Sequence, residues 1–299
     1  MDDKAFSAEK NVAAAVIVFF AVSLGLVLAV SLLMALLKIE VKSGAGGLFI
    51  TVIMLAPLLG RFAAVRTVDR GWKAPFRLRS WGRPRWFVAL APLLILLAIY
   101  GAAYLVGSLA GIAAWNPGNG KWTSAGQIAL NLAFNLPIMA VFFTIGSLGE
   151  ELGWRGYLQP RLDAAGVRLS LVVVIVLEVI WHVPIFVLAN FLLGGSLAMT
   201  VLLFAGLKMF ASPLWAWSVY RSRSIWPAVF FHTFHNEISQ WLFPHFFSTT
   251  DDGVLLGEFG VLPVAAYAAA FGIWLVAMLV RGTGWQKLAA RALTSDLEK

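Results

Sequence analysis

The chain has no cysteine among its 299 residues. Disulfides, thiolate nucleophiles and cysteine-type zinc sites are therefore excluded. Charge is scarce as well: 13% of the residues are Asp, Glu, Lys or Arg, against about 25% in a soluble domain. In their place stand apolar residues, 60% of the chain, with a mean hydropathy of +0.83. That balance belongs to an integral membrane protein with several spans. No low-complexity segment or internal repeat interrupts it. The net charge of +8 would suggest nucleic-acid binding in a soluble protein. Here the basic residues lie between apolar runs, where they report topology, so no nucleic-acid partner is expected.

A membrane span needs roughly 20 mainly apolar residues. Eight segments qualify: 12–37, 47–66, 86–113, 127–158, 168–190, 197–219, 225–246 and 260–280. The first is too long for the apolar region of a signal peptide and reads as a transmembrane helix. Arg66, Arg70, Lys73, Arg77, Arg79, Arg83 and Arg85 fill the second break, Arg221 and Arg223 the sixth, and Arg281, Lys287 and Arg291 the tail. The alternate breaks hold few charges: Lys38, Glu40 and Lys42, then Lys121, then none, then Asp251, Asp252 and Glu258. With eight spans every strongly basic segment falls on one side, which the positive-inside rule assigns to the cytoplasm together with both termini. The expected fold is an all-α polytopic transmembrane helical bundle, one membrane domain over 1–299 with a catalytic core at about 127–246. The basic break 66–85 chiefly marks topology, and contact with anionic lipid heads is its second reading.

Ionisable residues at membrane depth are expensive and default to a functional hypothesis. The fourth span carries Glu150, Glu151 and Arg155, the fifth Glu178 and His182, the sixth Lys208, and the seventh His232, His235, Asn236 and Glu237. Glu151–Arg155, Glu178–His182 and His232–Asn236 are each spaced i,i+4, which places each pair on one helix face. An acid with two or three histidines suits water activation. A His and an Asn on one face can donate to an oxyanion. Several of these residues also have structural readings. Glu151 with Arg155 reads foremost as an ion pair neutralising buried charge. Glu178 either pairs with His182 or lines a cavity. Lys208 snorkels or neutralises an acid, and Glu237 is a candidate partner for it. His235 is placed for packing and His245 near the membrane interface.

Three ordered motifs carry a family resemblance. Glu150-Glu151-Leu152-Gly153-Trp154-Arg155 gives E-E-x-x-x-R and continues into Gly156-Tyr157-Leu158. A second motif, F-x-x-x-H, ends at His182, before Val183-Pro184, and a third, H-x-x-x-N, runs from His232 to Asn236. Over about residues 130–245 the chain resembles the CPBP intramembrane proteases, also called the CAAX-protease and bacteriocin-processing or Abi family. Glu178 departs from the pattern by standing where the family has Phe.

The resemblance implies a membrane endopeptidase acting on a peptide or protein substrate, in some relatives a prenylated CAAX protein and in others a leader peptide. Carried over by motif position, Glu150 and His182 activate the water, and His232 and Asn236 stabilise the oxyanion. Glu151 and Arg155 then support the site, with Glu178 beside them. The chain lacks H-E-x-x-H, whose histidines preform a zinc face. Glu150, His182 and His232 could still meet across helices as a His2Glu zinc set. No cofactor is expected to be required. The expected setting is a bacterial inner membrane, with lipid as the surrounding partner. The alternatives are a non-catalytic immunity or scaffold member of the family and, from another class, a proton-coupled transporter. The absence of inverted repeats counts against transport.

Overall fold

A computed structural model of the chain describes residues 3–41, 43–72, 85–193, 196–251, 253–282 and 284–285. Its elements are α1 (Asp3–Leu36), α2 (Gly44–Met54), α3 (Ala56–Thr67), α4 (Arg85–Leu109), β1 (Ala113–Trp115), α5 (Ala125–Gly153), α6 (Gln159–Ala164), α7 (Ser170–Leu193), α8 (Leu197–Ser222), α9 (Trp226–Asn236), α10 (Phe243–Phe246), β2 (Phe247–Thr249) and α11 (Val261–Val280). The fold is an all-α polytopic bundle. The one sheet among the described residues is the short antiparallel pair β1–β2, which sequence patterning did not anticipate.

Seven helical stretches among the described residues are long and apolar enough to cross a membrane, one fewer than the eight expected. The odd one is the expected segment 225–246. There α9, a π-helical turn over Glu237–Leu242 and α10 run on without a break from Trp226 to Phe246. His232, His235, Asn236, Glu237, Ser239 and Gln240 dilute its hydropathy. Its contacts nevertheless make it a pass through the bundle. Val12, Ala13 and Val16 of α1 share an apolar groove with Leu162, Gly166 and Val167. Trp285, beyond α11, donates from Nε1 to Asp163 at 3.4 Å. The first and last helices thus meet the same end of the bundle, which requires an even number of passes.

That end is tied together by two carboxylates. Asp69 accepts from Tyr157 and from Arg161 Nε, both at 2.8 Å. Asp163 accepts from Ser170, Tyr220 and Gln159. Arg66, Arg70, Arg161, Arg221 and Arg223 belong to the segments gathered there. Lys73, Arg77, Arg79, Arg83, Lys287 and Arg291 of the basic segments, and hence most of the suggested lipid-contact break, lie outside the described residues. At the opposite end lie β1–β2 and the segment 253–260.

The fourth span is the long one. A capping box starts α5: Ser124 accepts from the Gln127 backbone and Gln127 reaches back to Ser124 N–H, which satisfies donors that a helix start leaves orphaned. The helix then runs through a π turn, Trp154–Leu158, into α6, so that helix continues from Ala125 to Ala164. Gly149 and Gly153 let it press onto α2–α3. A Cβ on Gly153 would stand 2.4 Å from Pro57 Cβ and 2.6 Å from its backbone carbon, and one on Gly149 2.8 Å from the Met54 carbonyl oxygen. Small residues allow this backbone approach in a membrane. Roughly 20 Å of helix separates Glu150 from Ala164, which puts the acids deep in the bundle.

Candidate active site

Two hydrophobic cores flank a polar seam. One gathers α4, α8, α9 and α11 around Tyr100, Trp215 and Tyr267, and the other gathers α1, α3 and α7 around Phe19, Trp154 and Trp181. The end of α5 that bears Gly149 and Gly153 supplies two acids of the seam, Glu150 and Glu151. Glu150, Glu151, Arg155, Glu178, Lys208, Ser212, His232 and Asn236 are all buried. A buried charge is tolerated only when paired and hydrogen-bonded, so the partners of each group are informative.

Arg155 is the hub. Its Nη1 donates to Glu178 and, at 3.4 Å, to Glu151 Oε1. Its Nη2 donates to Glu178 Oε2 at 3.1 Å and to Ser212 Oγ at 2.8 Å. This is the two-pronged match of guanidinium to carboxylate. Lys208 Nζ adds a second cation 3.8 Å from Glu178 Oε2, and Ser212 Oγ donates to the same oxygen at 3.1 Å. The Glu178 carboxylate therefore faces Arg155, Ser212 and Lys208. Neither sequence reading of it, a pair with His182 or a cavity lining, describes these contacts. Its backbone does the work toward His182: Nδ1 of that ring lies 2.7 Å from the Glu178 carbonyl. A carbonyl only accepts, so Nδ1 carries the proton and neutral His182 has its lone pair on Nε2.

His232 lies between the adjacent acids. Its Nδ1 is 2.9 Å from Glu151 Oε1 and its Nε2 is 3.9 Å from Glu150 Oε1. Glu150 Oε2 is buried with no hydrogen-bond partner among the described residues. Asn236 follows His232 by one helical turn and is likewise buried. One π turn, Trp154–Leu158, starts inside the first motif and contains Arg155, and the other, Glu237–Leu242, starts directly after Asn236. Such turns recur at functional sites.

The bundle thus joins Glu150, Glu151, Arg155, Glu178 and His232 through direct contacts, while His182 is attached through the Glu178 backbone. Sequence reasoning missed Ser212, and no spacing signal could have found it, since it lies 57 residues from Arg155. His235, read as a packing residue, makes polar contacts instead: Nδ1 is 2.9 Å from Tyr267 OH and Nε2 is 3.5 Å from Glu258. Lys208 goes to Glu178 rather than Glu237, whose Oε1 has no partner among the described residues. His245 is half-buried and held at Nδ1 by the Trp241 carbonyl at 2.7 Å.

No group of three His, Asp or Glu side chains among the described residues is arranged to hold a metal ion. One ring nitrogen of each histidine is committed, His182 Nδ1 to a carbonyl and His232 Nδ1 to Glu151. Each Nε2 stays free, as in a ligating histidine, so it is the spacing of Glu150, His182 and His232, and not their partners, that does not fit a resident zinc as arranged.

Residues 131–238 match the model of a family described as Type II CAAX prenyl endopeptidase Rce1-like. Over that stretch, about a third of the chain, the protein is similar to Rce1-like endopeptidases. The matched stretch includes Glu150, Glu151, Arg155, Glu178, His182, His232 and Asn236, and it agrees with the intramembrane protease family that the motifs resemble. At family level the Rce1-like domain is that of a CAAX-type endopeptidase in a multi-pass membrane protein. No curated protein and no solved structure matches the chain.

Proposed function

We propose that the chain is a glutamate-dependent intramembrane endopeptidase, with Glu150 as the base that activates water. One observation carries the assignment. Glu151, although its Oε2 is unpartnered, and Glu178 each accept from Arg155, whereas Glu150 accepts nothing from Arg155 and its Oε2 has no hydrogen-bond partner among the described residues. An unpartnered buried carboxylate is costly in a structural role and apt for accepting a proton. Arg155 and Lys208 offset two of the three carboxylates, so with neutral histidines the seam holds one uncompensated negative charge. A proton taken from water neutralises Glu150 and moves that charge onto the attacking hydroxide.

The chemistry follows from the donor set. Water donates one O–H to Glu150, and His182 Nε2, free of its own proton, accepts the other. The hydroxide oxygen attacks the scissile carbonyl. Asn236 donates its amide N–H to the resulting oxyanion. Neutral His232 has its proton on Nδ1, facing Glu151, so it donates from Nε2 only after the proton from water has passed across from Glu150. The imidazolium so formed is ion-paired by Glu151. When the C–N bond breaks, that proton returns to the leaving amine and the seam regains its starting charge. General-base assistance of this kind contributes about 10²–10⁴-fold.

The substrate is a CAAX-type or leader peptide in a bacterial inner membrane, with the basic end of the bundle in the cytoplasm, as the positive-inside rule assigns it. At the opposite end the segment 253–260 lies against the bundle, with Tyr104 and Tyr100 donating to its carbonyls. The test is cleavage of a farnesylated CAAX reporter peptide by the purified protein, with released peptide identified by mass spectrometry. Wild type should cleave with and without chelator, and Glu150→Gln should not. Cleavage by Glu150→Gln at the wild-type rate, or loss of wild-type cleavage in chelator, contradicts the proposal.

A further inference from the structure

The segment 253–260 does more than lie against the end of the bundle. Asp251 Oδ2 accepts from Leu255 N at 2.7 Å and Leu256 N at 3.3 Å. Leu256 is buried against α4, where a Cβ on Gly107 would stand 2.5 Å from its Cδ1. Tyr104 OH donates to the Leu256 carbonyl at 3.3 Å and Tyr100 OH to the Glu258 carbonyl at 2.6 Å. The Glu258 carboxylate reaches His235 on α9. The residue after this latch, Phe259, is therefore held by the chain before it and by α11 after it.

Phe259 is half-buried and packs against both hydrophobic cores, so it lies across the seam between them. Its ring centroid is 5.6 Å from Phe186 and 5.6 Å from Phe204. Those two rings flank His182, at 5.8 Å and 4.3 Å. His182 is itself only half-buried. The three phenylalanines thus form a cluster in which Phe186 and Phe204 touch the His182 ring and Phe259 backs both of them. We infer that Phe259 is a specificity-determining residue: it ends the substrate cleft beside His182 and limits the size of the apolar side chain flanking the scissile bond. This rests on the protease reading above and adds to it the residue that sets the size limit at that position, Phe259.

Hydrophobic pockets discriminate by roughly 10–200-fold per methylene-sized change, so a ratio of substrates is the readout. The reporters are farnesylated CAAX peptides that differ only in the residue beside the prenylated cysteine: Ala, Val, Leu or Phe. Phe259→Ala should raise kcat/KM for the Phe peptide relative to the Ala peptide about tenfold or more over wild type. Phe259→Leu should fall between, and it decides the question if Phe259→Ala does not fold. Phe259→Trp should shift the ratio the other way. A variant set that scales all four peptides by one factor makes Phe259 a structural wedge and overturns this inference alone. Failure of wild type to cleave any of the four overturns the protease reading and this inference with it.

Discussion

Replacing Arg155 with Met removes the cation that holds two buried acids. Arg155 makes four side-chain hydrogen bonds, one to Glu151, two to Glu178 and one to Ser212. Breaking a buried ion pair by removing one partner costs about 3–5 kcal/mol, because it strands the other charge. Glu178 would keep Lys208 and Ser212, and Glu151 would keep His232, which places the expected loss near 3 kcal/mol. Arg155→Met with Glu178→Gln returns the seam to its wild-type formal charge. The double variant should then cost less than the sum of the singles, by roughly 0.5–3 kcal/mol. Thirteen Trp residues give an emission signal for unfolding in mixed micelles, against which all four proteins can be compared. An Arg155→Met protein within about 0.5 kcal/mol of wild type, the range of an inconsequential surface change, would refute the reasoning. Simple additivity of the two substitutions would refute the pairing.

Other substitutions probe the same account. Glu178→Phe, which restores the residue usual in the family, should destabilise the protein by removing the carboxylate that Arg155 and Lys208 both contact. Adding Lys208→Met should recover much of that loss in the same unfolding assay. Gly153→Ala puts a methyl against the Pro57 backbone, and overpacking of this kind costs about 1–3 kcal/mol. The midpoint of unfolding should fall accordingly, while Gly272→Ala, which meets nothing within 4 Å, should leave it unchanged.

The helices were readable from apolar run lengths, and the order of the polar pairs along them from i,i+4 spacing. Glu151–Arg155 is such a local pair, and the structure keeps it. The segment 225–246 shows the limit of hydropathy by itself. Its polar residues remove it from an apolar-helix count, although its place between two same-sided helices makes it a pass. Glu178 shows a second limit. The sequence placed it one turn from His182, but its carboxylate goes to side chains on other helices, Arg155, Lys208 and Ser212. Such partners depend on how three helices rotate against one another, which spacing within one helix does not encode. The same holds for Phe259, whose neighbours Phe186 and Phe204 are more than fifty residues away in the chain. The π turns after Gly153 and Asn236 leave no periodic signature, since each is a single turn.

The central claim is the division of labour between adjacent acids, and a side-by-side comparison of Glu150→Gln and Glu151→Gln tests it most directly. Each variant is measured for kcat on the farnesylated reporter and for unfolding midpoint. Glu150→Gln should lose about 10²–10⁴-fold in kcat at unchanged or raised stability, since it removes a buried acid that accepts nothing from Arg155. Glu151→Gln should lose stability, because Arg155 and His232 lose their common acceptor. The opposite pattern, an active Glu150→Gln beside a stable and inactive Glu151→Gln, would contradict that claim.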